Sequence, residues 1–191
     1  MALSGDEPIS SSGLRLLPIG RSDIEDIKVW RNSQMGVLRQ REELSSRDQV
    51  KYFETVVWPH TQDRKPSQVI YLLEFKGKVV GYGGVVHIAW EHLRGEVSFL
   101  LRPEIEKNFE LKREIFSAFL SVITDLAFLR LKINKLSTET FENRGDHMEI
   151  LEQNFFVREG RLRGHVWIEG VSMDSILHGI LREDKVLGGV L

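Results

Sequence analysis

The chain has 191 residues, a formal net charge of −2 and no cysteine. That length is enough for one domain with a real core, and the near-balanced charge gives no general pull towards nucleic acid or membrane lipid. Without cysteine, disulfides, zinc–thiolate sites and a cysteine nucleophile are excluded.

No apolar run approaches the roughly 20 residues a membrane helix needs. The opening MALSGDEPISSSG lacks the basic-then-apolar pattern of a signal peptide. A cytoplasmic address is therefore expected. Residues 1–12 are expected to be a flexible lead-in, residues 13–183 a single domain and residues 184–191 a C-terminal tail.

In chain order, Leu14, Leu16, Leu17 and Ile19 mark a first short strand. Ser22, with Glu25 three residues on, reads as a capping box. Ile24, Ile27 and Trp30 share one face of the helix that follows, which should run out at Trp30-Arg31-Asn32. A second helix is expected from Ser45 or Ser46, carrying Val50, Tyr52, Phe53, Val56 and Val57. Residues 58–67, with Pro59 and Pro66, read as a loop long enough to be functional or mobile.

Residues 68–75 and 78–88 read as antiparallel strands joined by a Lys76-Gly77 hairpin turn. Gly81, Gly83 and Gly84 interrupt the second strand. They mark either a twisted strand that needs small residues or the close approach of a ligand. Residues 96–101, bounded by Gly95 and Pro103, suit a buried strand. Ile115, Phe119, Val122, Ile123 and Leu126 then recur at helical spacing. A strand feeding a helix N-terminus is where α/β folds tend to hold phosphates. A strand over 135–141, a short helix over 144–153 and strands over 155–158, 162–168 and 172–181 complete the chain, with Glu169-Gly170 as the last hairpin turn. The fold class is mixed α/β (α+β): a mostly antiparallel sheet of about seven strands flanked by about four helices.

This order, and three stretches within it, resemble the GNAT family of acyl-CoA-dependent N-acyltransferases. The branch is that of ribosomal-protein N-terminal and nucleotide-aminosugar acetyltransferases. The first stretch is Ile27-Lys28-Val29-Trp30-Arg31-Asn32 with Leu44-Ser45-Ser46 and Tyr52-Phe53. The second is Gly77-Lys78-Val79-Val80-Gly81-Tyr82-Gly83-Gly84 with Trp90-Glu91 and Glu96-Val97-Ser98-Phe99. The third is Ile150-Leu151-Glu152, Arg158-Glu159-Gly160-Arg161-Leu162-Arg163 and Asp174-Ser175.

The resemblance implies acetyl-CoA as cosubstrate. It also implies a slot for the pantetheine arm where the strand at 96–101 splays from the strand at 135–141. Phe99, Leu100, Leu101 and Asn143 would line that slot. The family's phosphate loop, Arg/Gln-x-x-Gly-x-Gly/Ala, falls here on Glu106, Phe109 and Leu111. None of these fits, and an acidic residue facing a pyrophosphate repels it. Lys107, Lys112 and Arg113 are the cations at hand; they either supply the missing charge or form a solvated helix face. The tyrosine that serves many members as general acid is replaced by Leu151, or by Ile150 if the register slips by one.

Amine acylation needs a proton acceptor and oxyanion donors. His87 and Glu96 are the candidate bases, or else structural partners of Arg94; His178 is a third. His147 lies one turn before Leu151 on the same helical face and is the candidate replacement acid. Thr138, Glu139 and Thr140 form a polar cluster that lines a substrate cleft or an outward sheet face. Arg31, Arg39 and Gln40 fall where the family builds its acceptor site, and arginine there can grip a phosphate bidentately.

The expected activity is N-acetylation of a small-molecule amine such as a nucleotide-linked aminosugar, with no metal, nucleic acid or membrane partner and with homodimerisation open. A GNAT-like binding module without catalysis, an acyl-carrier protein as donor and a protein N-terminus as acceptor are the alternatives.

Overall fold

The computed structural model describes residues 9–61 and 63–187. The chain opens with β1 (Ser10–Ser11) and β2 (Leu14–Leu17), followed by helices α1 (Ile24–Asn32) and α2 (Ser46–Tyr52). Strands β3 (Val69–Phe75), β4 (Lys78–Ala89) and β5 (Arg94–Leu101) come next, then a single turn α3 (Pro103–Glu106) and the long helix α4 (Phe109–Asp125). Strand β6 (Lys135–Phe141), helix α5 (Gly145–Gln153), strands β7 (Val157–Ile168) and β8 (Val171–Leu181) and helix α6 (Arg182–Leu187) finish it.

The strands form one eight-stranded sheet in the order β1-β2-β3-β4-β5-β6-β8-β7. All neighbours are antiparallel except β5 and β6. Those two pair only at Arg94↔Lys135, Gly95↔Leu136 and Glu96↔Ser137, and then part. The expected splay is present, and it leaves the β6-facing edge of β5 without a partner strand beyond Glu96.

Strand alternation sends neighbouring residues to opposite faces. Leu72, Tyr82 and Leu100 pack under α1 with Ile24, Ile27 and Trp30. Leu73, Val85, Leu101 and Leu136 pack under α4 with Ile115, Phe116, Phe119 and Ile123. Fully burying one such side chain stabilises by about 1.5–3 kcal/mol, so the apolar stripe of α4 is a main reason the helix holds its place on the sheet.

The glycines of β4 are explained by packing. A Cβ at Gly84 would lie 1.9 Å from the Val69 carbonyl oxygen, and one at Gly83 would lie 2.5 Å from that of Ser98. The neighbouring backbones come that close, and no ligand is needed to account for either residue.

The described residues form eight strands and six α-helical segments, close to the mixed α/β sheet of about seven strands that was expected. Several expectations are corrected. Ser22 and Glu25 form no capping box: α1 starts after Asp23, whose carboxylate accepts from Gly20 N, while Glu25 pairs with Lys28. The strands expected over 155–158 and 162–168 are one long strand, Val157–Ile168, with irregular register. Ser10 and Ser11, placed in the lead-in, pair with β2; residues 1–8 lie outside the described part. The tail at 184–191 begins as α6, because Lys185 is buried and its ammonium bonds to Thr124 Oγ1 at 2.7 Å and pairs with Asp125, tying α6 to α4. Among the described residues no helix is long and apolar enough to cross a membrane.

Candidate active site

The parting of β5 and β6 opens a cleft of about 510 Å³. Its walls bring together side chains from five separate stretches: Arg31, Arg39 and Gln40; His87; Glu96 and Phe99; Thr138 and Glu139; and His147. These residues, singled out separately along the sequence, share one space. A second cavity of about 690 Å³ adjoins it, sharing Leu38, Arg39, Gln40, Glu139 and Phe141 and adding Arg41, His165 and Trp167.

The base of the cleft is a stack of three rings. Phe99 of β5 lies on Phe116 of α4 with centroids 4.2 Å apart, and Phe116 lies on His147 of α5 at 4.3 Å. His147 is therefore buried, and its Nδ1 has no hydrogen-bond partner among the described residues. Burial pushes its pKa well below the ordinary histidine value, and the nearby Arg144, Lys112 and His178 push it further. At neutral pH the ring is uncharged. An uncharged ring does not suit the role of proton-donating acid expected for His147. Glu139 Oε1 and Thr140 Oγ1, in the same walls, are also buried without a partner. Buried polar atoms without a hydrogen-bond partner are costly, and these three residues all line the one cleft.

At the cleft mouth Arg39 reaches across the splay. Its Nη2 bonds to Glu96 Oε1 at 2.9 Å and to Glu139 Oε2 at 2.8 Å, so one guanidinium joins a carboxylate from β5 to one from β6. Arg31 Nε donates to Gln40 Oε1 at 3.0 Å and its Nη1 to the Tyr82 hydroxyl at 2.7 Å. Burial pushes the Tyr82 phenol up, and Arg31 only partly offsets this. His87 sits in the irregular stretch of β4 with φ 50°, a left-handed turn that places it on the exposed rim of the cleft. Neither His87 nor Glu96 pairs with Arg94 among the described residues. His178 lies outside the cleft, fully buried, with Nε2 3.2 Å from Glu152 Oε1.

The residues expected at the phosphate end differ in their surroundings. Lys112 is 1% exposed rather than solvated; its ammonium lies 2.5 Å from Glu106 Oε1 and 2.8 Å from Asp146 Oδ2. The helical period explains why: Lys112 precedes Ile115, Phe116 and Phe119 on the inward face of α4. Arg113 is exposed, pairs with Glu110 at 2.5 Å and lies over the Phe109 ring. Lys107 and Asn143 are exposed and line none of the cleft. Leu100 and Leu101 are buried in the two cores, so only their backbone can serve the slot. Arg144 and Phe116, not singled out in the sequence, both line the cleft. Phe116 was legible as a helix-face position; nothing local marked Arg144.

Residues 17–177 match the model of the acetyltransferase (GNAT) domain. The chain belongs to this family. It is thereby an acyl-CoA-dependent N-acetyltransferase with acetyl-CoA as its cosubstrate. Among solved structures it is similar to spermidine N-acetyltransferase from Vibrio cholerae in complex with CoA and spermine, at 20% identity and a TM-score of 0.78, covering 92% of this chain and 99% of the other. A dodecameric structure of the same Vibrio cholerae enzyme gives 20% identity and a TM-score of 0.73, with coverages of 95% and 100%. At that identity the likeness speaks to the fold.

The acyl end of the cosubstrate fits this GNAT chain. The unpartnered edge of β5 offers peptide groups to an extended amide-bearing arm, as an exposed strand edge does to a peptide. The diphosphate end does not fit as arranged, because Lys112, Arg113 and Arg144 are already paired with carboxylates and Lys107 lines none of the cleft.

Proposed function

We propose that this acetyltransferase acts on the amino group of a small metabolite that also carries phosphate, a nucleotide-linked aminosugar being the type. The observation that carries the reading is the double cavity beyond the splay: it is lined by four arginines, Arg31, Arg39, Arg41 and Arg144, against three glutamates, Glu96, Glu139 and Glu169. Of these, Arg31 and Arg41 pair with no carboxylate among the described residues and suit an acceptor with an anionic part. Trp167, 73% exposed at the far end, offers a face for a nucleobase.

In this reading Glu96 and Glu139 receive the acceptor's ammonium as Arg39 swings towards the phosphate. Glu96 stands at the point where β5 loses its partner, and there it takes the proton that frees the amine lone pair. His147, Phe116 and Phe99 would lie beneath the acyl arm, where their stacked rings exclude water. No charged acid is needed, since a thiolate whose conjugate thiol has a pKa near 8.5 leaves readily at neutral pH.

Initial rates with acetyl-CoA and a panel of amines test the reading. Nucleotide-linked aminosugars should outperform both the free aminosugar and spermidine. Glu96→Gln should lower kcat/KM by about 10²-fold or more, whereas Glu139→Gln should act mainly on KM. The second reading is a polyamine acceptor, favoured by the Glu96–Glu139 pair. Faster turnover of spermidine than of any nucleotide sugar would establish it in place of the first.

A further inference from the structure

Where the family's phosphate loop falls, this chain builds a closed set of charges. Glu106 Oε1 accepts from Lys112 Nζ at 2.5 Å and from Arg144 Nη2 at 2.9 Å. Lys112 also holds Asp146, at 2.8 Å. Burial alone would raise the Asp146 carboxyl, but the Lys112 ammonium, the His147 N–H and Arg144 outweigh it and hold it below the usual carboxylate range. The four charges sum to zero. Each adjacent helix start also has one capped N–H: Asn108 Oδ1 accepts from Leu111 N at 3.1 Å on α4, and Asp146 Oδ1 from His147 N at 2.8 Å on α5. The Glu106–Arg144 bridge runs from the β5–α4 connection to the start of α5, and Arg144 is also a wall of the cleft.

We propose that Glu106 is a built-in competitor for the donor's phosphate. Its carboxylate occupies the anion site formed by Lys112 and Arg144, and a diphosphate gains those two cations only by exchanging with it. Binding of the free protein to its donor then rests on the acyl–pantetheine arm in the splay, and Glu106 limits how much the nucleotide end contributes. A buried cation pair without its carboxylate would carry a surplus positive charge, which phosphate would take up as charge-assisted hydrogen bonds. This inference rests on the acetyl-CoA reading of the cleft.

Titration calorimetry with pantetheine, 4′-phosphopantetheine and CoA tests it, on the wild-type protein, Glu106→Gln and the double variant Glu106→Gln/Lys112→Met. The glutamine keeps an oxygen for Lys112 and removes only the charge. The wild type should bind the three probes within about tenfold of one another. Glu106→Gln should bind phosphopantetheine and CoA about tenfold or more tightly than wild type, with pantetheine unchanged, and adding Lys112→Met should abolish the gain. Wild-type CoA affinity more than about 100-fold above that of pantetheine overturns the proposal, even if the variants do not fold. So does a Glu106→Gln protein that binds pantetheine but gains nothing for the phosphate-bearing probes. If none of the probes binds either protein, the donor reading beneath the proposal fails and the proposal falls with it.

Discussion

His147 makes the stability of this protein depend on pH in a window where few groups titrate. The ring is 5% exposed, stacked on Phe116 and faced by Arg144 and Lys112, so its folded pKa lies well below the unfolded value of 6.5. The unfolded chain therefore binds a proton that the native state refuses, and stability falls as pH drops below about 6.5. The slope is at most about 1.4 kcal/mol per pH unit, so lowering the pH from 6.5 to 5 costs up to about 2 kcal/mol through this one residue. His147→Phe isolates it, because phenylalanine keeps a stacking ring and cannot titrate. It also removes a buried nitrogen without a partner, worth about 1–3 kcal/mol, so the variant should match or exceed the wild type in stability at neutral pH. Urea unfolding of both proteins at pH 5, 6, 7 and 8 provides the measurement. The difference between them should widen steadily in favour of the variant below pH 6.5 and level off above it. A difference that stays flat from pH 5 to 8 would refute the buried, neutral histidine.

The ion cluster makes an asymmetric prediction. Lys112→Met should cost little, since Glu106 keeps Arg144 and Asp146 is 41% exposed to water. Glu106→Gln/Asp146→Asn leaves a buried ammonium without a carboxylate and should cost about 3–5 kcal/mol; equal losses in urea unfolding would contradict this. Gly84→Ala drives a Cβ into the Val69 carbonyl, which is backbone and cannot turn aside. It should lose about 3 kcal/mol or more, a fall in Tm of roughly 6–12 °C for a chain this size, and an unchanged melt would show that β4 tolerates side chains there.

The secondary structure was written in local patterns. The apolar spacing of Ile24, Ile27 and Trp30, and of Ile115, Phe119 and Ile123, marks faces that must be buried, and a helix is the one regular structure with that period. The turns at Lys76-Gly77 and Glu169-Gly170 follow from backbones with positive φ at both positions. The identities of Arg39, Glu96, Glu139 and His147 as polar residues in suspect places were equally visible.

What they do together was decided by tertiary structure. Arg39 meets Glu139 across 100 positions of chain, and Lys112 meets Asp146 across 34. No local period encodes such a meeting; it exists because β5 and β6 pair for three residues and then part. The same applies to protonation. Residue type makes His147 a histidine with an ordinary pKa, and only its enclosure by Phe116, Arg144 and Lys112 removes its charge. Lys107, Lys112 and Arg113 look alike as a string of cations beside a helix start. The rotation of α4 on the sheet leaves Arg113 in water and buries Lys112 against two carboxylates, because neighbouring residues on a helix are turned by about 100°, while Lys107 lies before the helix, exposed in the turn between α3 and α4.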